Sequence, residues 1–300
     1  MKFDLAISYT WIYDIEFTQL IEKMFQANGL STFVINRTNI DEITKYVREK
    51  KIIFTAYLDR ASDEDSNFSE LGELLTKSSC KIINEYENVA QSTDKSIVQS
   101  KLIDAGLKIP KTIIIPPFDK QPELNIPPKK LEQLGKPFVI KPAYYSGGSD
   151  GVIKNGLTLN DVQSARMKNK DDNYLIQEKI YPDIINNHRA WFRVLWVFGK
   201  VIPLLWDDDT LIYSELDVQE EHPEIYNEII EQMKIIYGVA KLEYFSSEFA
   251  LTKNGELFLI DYVNDQCDMR LKSKHPDGVP NKIVKEFISE MIQFVKSLQK

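Results

Sequence analysis

The sequence predicts a mixed α/β and α+β chain: a small N-terminal α/β layer followed by two α+β subdomains. Three observations point there. Over residues 1–84, short apolar runs alternate with helical stretches, the pattern of a mainly parallel sheet. Near residue 140, a strand runs through a lysine into a glycine-rich loop. Beyond residue 190, long apolar runs are split by short turns containing glycine, the pattern of antiparallel hairpins.

Residues 4–9 read as a strand. Phe17, Leu20, Ile21, Met24 and Phe25 then recur at helical spacing, and Gly29 stands where a helix C-cap belongs. Strands follow at 31–35 and 52–58, with a helix between them capped by Thr38 or Asn39. Residues 67–77 read as helix and 81–84 as a short strand. The stretch 86–105 is helical with a break near Ser92-Thr93-Asp94-Lys95, and a strand is expected at 112–115. The proline-rich, polar stretch 116–130 reads as a surface connection.

Phe138-Val139-Ile140 is a buried strand closed by Lys141, and Pro142 is expected to stop it, having no N–H to give a ladder. After the loop come a helix at 159–167 and a strand at 174–180. Strands 191–198 and 201–206 flank a turn read as Gly199-Lys200, glycine first. A helix from about Glu224 is expected to stop at Gly238. Strands 244–251 and 257–263 flank Asn254-Gly255, a strong hairpin signal, and a final helix covers most of 281–298.

Totals narrow the function. The 300 residues are enough for two domains, or for one domain with subdomains. With 43% hydrophobic and 27% charged residues, the chain reads as a soluble globular protein. No apolar run approaches the ~20 residues of a membrane helix, and the early acid Asp4 argues against a signal peptide. A net charge of −8 disfavours nucleic acid or an anionic membrane as partner. Cys80 and Cys267 form no metal-type cluster, which points to a reducing cytoplasm. His188, His222 and His275 show no metal spacing.

Two stretches carry chemistry. The loop Ser146-Gly147-Gly148-Ser149-Asp150-Gly151 follows Lys141. Glycines let backbone N–H groups approach an anion and a lysine adds a point charge, so this is a phosphate clamp or, alternatively, a plain hairpin. It lacks the Gly-Lys-Ser/Thr of a Walker A loop. In the last hairpin, Glu248 lies inside an apolar strand and Asp261 ends the paired one. Buried carboxylates are costly unless paired or bound to a cation. With Asn264 they form an oxygen set suited to Mg²⁺ beside a nucleotide, with Mn²⁺ as an alternative. The other reading pairs either acid with Arg193 or Arg270. Arg270 is a candidate fork for an acceptor carboxylate or phosphate, or a surface partner of Asp268. The charged loop 59–65 ends the N-terminal sheet, where substrates bind in open α/β sheets; the alternative is a solvated turn. Cys267 is read as a buried thiol rather than a nucleophile.

In this order the features resemble the ATP-grasp superfamily. The matching residues are Asp94-Lys95 before a helix, Phe138-Val139-Ile140-Lys141-Pro142 before the glycine loop, and Leu175-Ile176-Gln177-Glu178-Lys179-Ile180. Arg193, Glu248, and Asp261 with Asn264 complete the series. The resemblance covers roughly residues 85–290. It implies a pre-ATP-grasp domain at 1–84, a small subdomain with the glycine loop at 85–180, and a C-terminal subdomain with the metal site at 181–300. It also implies roles. Lys95 and Lys141 would hold ATP phosphates under the loop. Gln177, Glu178, Lys179 and Ile180 would form the adenine hinge, with Asp183 the acid nearest the expected ribose position. Arg193, Lys141 and Arg270 would serve the reaction.

Three departures stand out. Asn264 follows Asp261 by three residues rather than two, so Asp265 competes for that place. Trp191 and Phe192 stand where an acid often precedes the arginine. No acid follows the hinge at the usual distance. The implied activity is an ATP- and Mg²⁺-dependent ligase joining a small-molecule or peptide carboxylate to an amine, in a monomer or homodimer. The alternatives are a kinase of a hydroxyl acceptor and a non-catalytic nucleotide-binding module.

Overall fold

The computed structural model describes residues 1–146, 151–214 and 216–299. The first layer is β1 (Lys2–Tyr9), α1 (Ile15–Ala27), β2 (Thr32–Ile35), α2 (Ile40–Arg48), β3 (Ile53–Arg60), α3 (Ser69–Thr76) and β4 (Lys81–Ile83). Its strands pair in the order β2-β1-β3-β4, and every pair is parallel. Both faces are covered by helices, so Leu5, Ala6 and Ile7 form a continuous buried run. Gly29 ends α1 as expected. At φ 73° it lets its own N–H reach Gln26 O and that of Leu30 reach Phe25 O, satisfying two orphan carbonyls. Asn39 precedes α2, but its side chain turns backward and accepts from the Asn36 N–H at 2.9 Å.

The break near Thr93 separates α4 (Tyr86–Ser92) from α5 (Lys95–Asp104). Next come β5 (Thr112–Ile115), α6 (Pro128–Glu132), β6 (Phe138–Pro142), β7 (Ile153–Gly156), α7 (Leu159–Ala165) and β8 (Tyr174–Glu178). The four strands form an antiparallel sheet in the order β5-β8-β6-β7. Strand β6 stops at Pro142, as expected, with Pro142 itself its last residue, opposite Tyr174. The β6–β7 register has already ended at Ile140–Ile153, so on that side no ladder partner is lost.

The remainder is β9 (Ile184–Ile185), β10 (His188–Arg189), β11 (Trp191–Val197), β12 (Lys200–Leu205), α8 (Val218–Glu221), α9 (Pro223–Ala240), β13 (Tyr244–Leu251), β14 (Leu257–Asn264) and α10 (Asn281–Ser297). The third sheet is antiparallel, in the order β12-β11-β13-β14. Its first turn is Phe198-Gly199, one residue earlier than the sequence suggests, since Val197 pairs with Lys200. Both turn residues have positive φ, 50° and 99°, which matches the strand twist better than a glycine-first turn. The strain at Phe198 is offset by its ring, which packs against Phe287 and Phe294. Helix α9 runs through Gly238 and ends at Lys241 in the left-handed region, because buried Ala240 continues its apolar face. The β9–β10 ribbon turns on Asn186 and Asn187, also with positive φ, and its two-residue strands are too short for pattern reading.

The third sheet has a core on each face. Trp191, Leu195 and Val197 of β11 join α1, α10 and the first sheet in one apolar cluster. Phe192, Val194 and Trp196 alternate to the other face, under α9 and α5. By this packing the N-terminal layer and the third sheet share a core, and α5 lies on the third sheet. A separate cluster fills the second sheet against α6 and α7. Among the described residues no helix is long and apolar enough to cross a membrane.

Candidate active site

A cavity of about 390 Å³ opens between the second and third sheets. Its floor is set by strand register. Arg193 on β11 is opposite Glu248 on β13, and Glu248 is opposite Asp261 on β14. Cross-strand partners share a face, so one cation and two carboxylates stand in a row. Asn264 is opposite Ser246, and both line the same cavity.

Neither acid is bare. Glu248 Oε1 accepts from Arg193 Nη2 at 2.6 Å, and Oε2 from Trp191 Nε1 at 3.2 Å. The Arg193 guanidinium lies 3.8 Å from the centre of the Trp206 ring, and its Nη1 donates to the Tyr213 hydroxyl at 3.4 Å. Burial works against its charge, but Tyr213 and Glu248 outweigh it and raise its pKa. Asp261 is 3.1 Å from Lys95 Nζ. Burial alone would raise the Asp261 pKa; the charges of Lys95 and Lys141 overcome that and hold it below the usual carboxylate range. The oxygen that Lys95 approaches is the buried Oδ1, and the contact is an ion pair rather than an aligned hydrogen bond.

Lys141 faces this row from β6. Its Nζ donates to Ile260 O at 2.8 Å and lies 5.3 Å from the centre of the Tyr262 ring. Burial lowers its pKa to about 8, helped by Lys95 and opposed by Asp261 and Glu248. Lys95 begins α5, with Asp94 as N-cap accepting from Ser96 N–H at 2.8 Å. It reaches Asp261 from behind and is not among the residues lining the cavity.

At the hinge, Gln177, Glu178, Lys179 and Ile180 all line the cavity. The Gln177 side chain is already used: its Nε2 donates to Thr112 Oγ1 and to Tyr262 Oη, both at 2.9 Å. Lys179 Nζ donates to Asn155 Oδ1 at 2.7 Å. Asp183 does not line the cavity; its backbone N–H joins Leu251 O. Ser146 does line it, with a buried Oγ lacking a described partner. Gly151, at φ 70°, is not in the lining, and Gly147, Gly148 and Ser149 lie outside the described residues.

Arg270 lines the far end. It is forked onto Asp268 and also bonded to Asp277, each at 2.8 Å. Loop 59–65 is not in the lining, but supports it. Gln266 Nε2 donates to Asp59 O at 3.1 Å, and Arg60, buried and paired with Asp14, donates to Cys267 O at 3.2 Å. Asp265 also lines the cavity; Asn84 Nδ2 donates to it at 2.9 Å, and burial raises its pKa to about 7.

One cluster escapes sequence reasoning. Lys154 on β7 bonds Asp208 and Asp209, and Arg189 bonds Asp208 Oδ1 at 2.8 Å, closing the cavity rim between the second and third sheets. The acid run 207–209 directly after a hairpin strand was the available signal. Trp206, stacked on Arg193, gives no sequence signal beyond its size.

The chain has the fold of the ATP-grasp ligases. It superposes on ATP-grasp ligase PsnB complexed with minimal precursor, Mg and ADP with a TM-score of 0.58 at 15% identity, covering 96% of this chain and 98% of that one. Macrocyclase MdnC bound with precursor peptide MdnA, from Microcystis aeruginosa MRC, gives 0.64 at 13% identity, covering 96% and 99%. D-Alanine–D-alanine ligase from Bacillus anthracis complexed with ATP gives 0.62 at 16%, covering 99% and 98%. No protein-family model and no curated protein sequence matches the chain.

Proposed function

We propose that this protein is an ATP- and Mg²⁺-dependent ligase that joins a carboxylate to an amine through an acyl phosphate. The observation that carries the reading is the row Arg193–Glu248–Asp261 on three adjacent strands, faced by Lys141 across the cavity. Such a site can neutralise a polyphosphate and a transferring phosphoryl group by position alone. The structural neighbours solved with ADP and Mg, with ATP, or with a precursor peptide support this choice.

The acids fit a divalent cation. Asp261, Glu248 and Asn264 bring side-chain oxygens to the same cavity, and the buried Asp261 Oδ1, although 3.1 Å from Lys95 Nζ, accepts no aligned hydrogen bond from a described residue. Bound there, Mg²⁺ (or Mn²⁺) would supply charge neutralisation for the phosphates. Lys141 holds phosphate oxygens from the β6 side, with Lys95 supporting from behind Asp261. The backbone of Glu178 and Ile180 meets adenine. Arg193 stabilises charge on the γ-phosphoryl group as a substrate carboxylate oxygen attacks phosphorus and the bond to ADP breaks. The amine then attacks the acyl carbon and inorganic phosphate leaves. The substrates are a small-molecule or peptide carboxylate and an amine. The two thiols are free and buried, which suits a reducing cytoplasm.

The test is the fate of a labelled γ-phosphate when the protein is incubated with ATP, Mg²⁺ and a panel of amino acids and short peptides. The expected result is one ADP and one free phosphate per product, requiring both substrates, with hydroxylamine trapping the activated carboxylate when the amine is withheld. Label stably attached to the organic product would establish a kinase instead.

A further inference from the structure

Arg193 is held by two kinds of restraint. One is electrostatic: its Nη2 donates to Glu248 Oε1 at 2.6 Å. The other is aromatic: its guanidinium lies 3.8 Å from the Trp206 ring centre. Only the first involves a proposed metal ligand. If Glu248 turns toward a cation, Arg193 keeps only its long 3.4 Å bond to Tyr213, and a long side chain so loosely held samples several rotamers. The stack on the indole face survives that exchange, while the charge over the ring changes as Glu248 leaves the guanidinium. The indole is fixed from the backbone, since Trp206 N–H donates to Trp191 O at 2.9 Å and Trp206 bridges Tyr213, whose hydroxyl accepts from Arg193. Trp206 is buried, and its own Nε1 has no hydrogen-bond partner among the described residues. A buried orphan donor is unfavourable, so hydrogen bonding does not explain an indole here. Its broad face under a guanidinium does.

We infer that Trp206 is the positioning residue that keeps Arg193 at the cavity when Glu248 transfers its carboxylate from Arg193 to a divalent cation. With a cation held by Glu248, the guanidinium would no longer be committed to that carboxylate and would be available to phosphate, still held on the Trp206 face. This rests on the ligase reading above.

The experiment compares the parent with W206L and W206F in the full chain. Its first readout is binding of Mg²⁺·ADP by calorimetry, and its second is indole emission during the same titration. Trp206 is one of four tryptophans, so the parent-minus-W206F difference isolates it. That difference spectrum is expected to shift as Mg²⁺·ADP binds, and not with ADP in chelator. In turnover, W206L is expected to lose about tenfold or more in kcat with KM for ATP changed less than about twofold, and W206F to recover most of the loss. If the parent binds no Mg²⁺·ADP, the ligase reading falls and this inference with it. If it binds but the difference spectrum is static, or W206L turns over like the parent, the inference alone falls. Should W206L fail to fold, the difference spectrum still decides, because W206F keeps a ring at the position.

Discussion

The two walls of the cavity are built on different principles. The wall from β11, β13 and β14 is a row of alternating charge whose members already satisfy one another: Arg193 with Glu248, and Asp261 with Lys95. The wall from β6 and β8 carries Lys141 among apolar neighbours, held by the Ile260 carbonyl and an aromatic face rather than by a close carboxylate. The first wall is preorganised and its charges are locked. The second holds a cation that burial pushes toward neutrality. Ligand binding should therefore exchange partners on one wall and supply a missing partner on the other.

The largest expected effect comes from breaking the locked wall. Two acids on adjacent strands repel unless they share a cation or pair with a base, so from the sequence neutral replacements could stabilise the empty protein. The structure reverses that sign, because each acid has its own buried cation. Asp261→Asn leaves the buried Lys95 without its 3.1 Å partner and is expected to lower unfolding stability by about 3 kcal/mol, read by urea denaturation, besides abolishing turnover. A rise in stability would show that the row is not mutually paired.

Next is the unlocked wall. Lys141→Met removes a buried charge lacking a close acid, so the apo protein is expected to lose little stability or gain some. Its ATP-dependent rise in melting temperature is expected to shrink to less than about half that of the parent. Equal shifts in both proteins would remove Lys141 from the nucleotide site.

The same contrast gives a pH dependence. The folded Lys141 titrates near 8 and its ordinary value is 10.5, so between them the unfolded chain binds more protons and this group's contribution to stability rises with pH. Phosphate binding needs the charged lysine, so nucleotide affinity is expected to fall over the same interval by a few-fold per pH unit. Calorimetric titrations at pH 7.5 and 9, each paired with a melting curve, check both signs.

The smallest effect concerns Arg270. Its two aspartates leave it little capacity for a substrate carboxylate, so Arg270→Ala is expected to raise KM for the acceptor about two- to fivefold and leave KM for ATP unchanged. A hundredfold change would mean that Arg270 leaves both acids to bind the acceptor directly.

Much of this protein was legible in its sequence because the signals were local. Period-two apolar runs, the Asn254-Gly255 turn, Gly29 and the break before Lys95 each depend on neighbours within a few residues, and the elements formed where they indicated. The elements misjudged were those where packing outweighed local preference: α9 through Gly238 and the turn at Phe198. For the site, Glu248 and Asp261 stood out as charges inside apolar strands, Lys141 as the charge before the glycine loop, and Arg193 through the ATP-grasp resemblance. Their partners were decided only by tertiary structure. Lys95 meets Asp261 across 166 residues of sequence, and Lys154 meets Asp208 across 54. Which lysine meets which acid is fixed by sheet register and by how two sheets approach, and no local pattern encodes either.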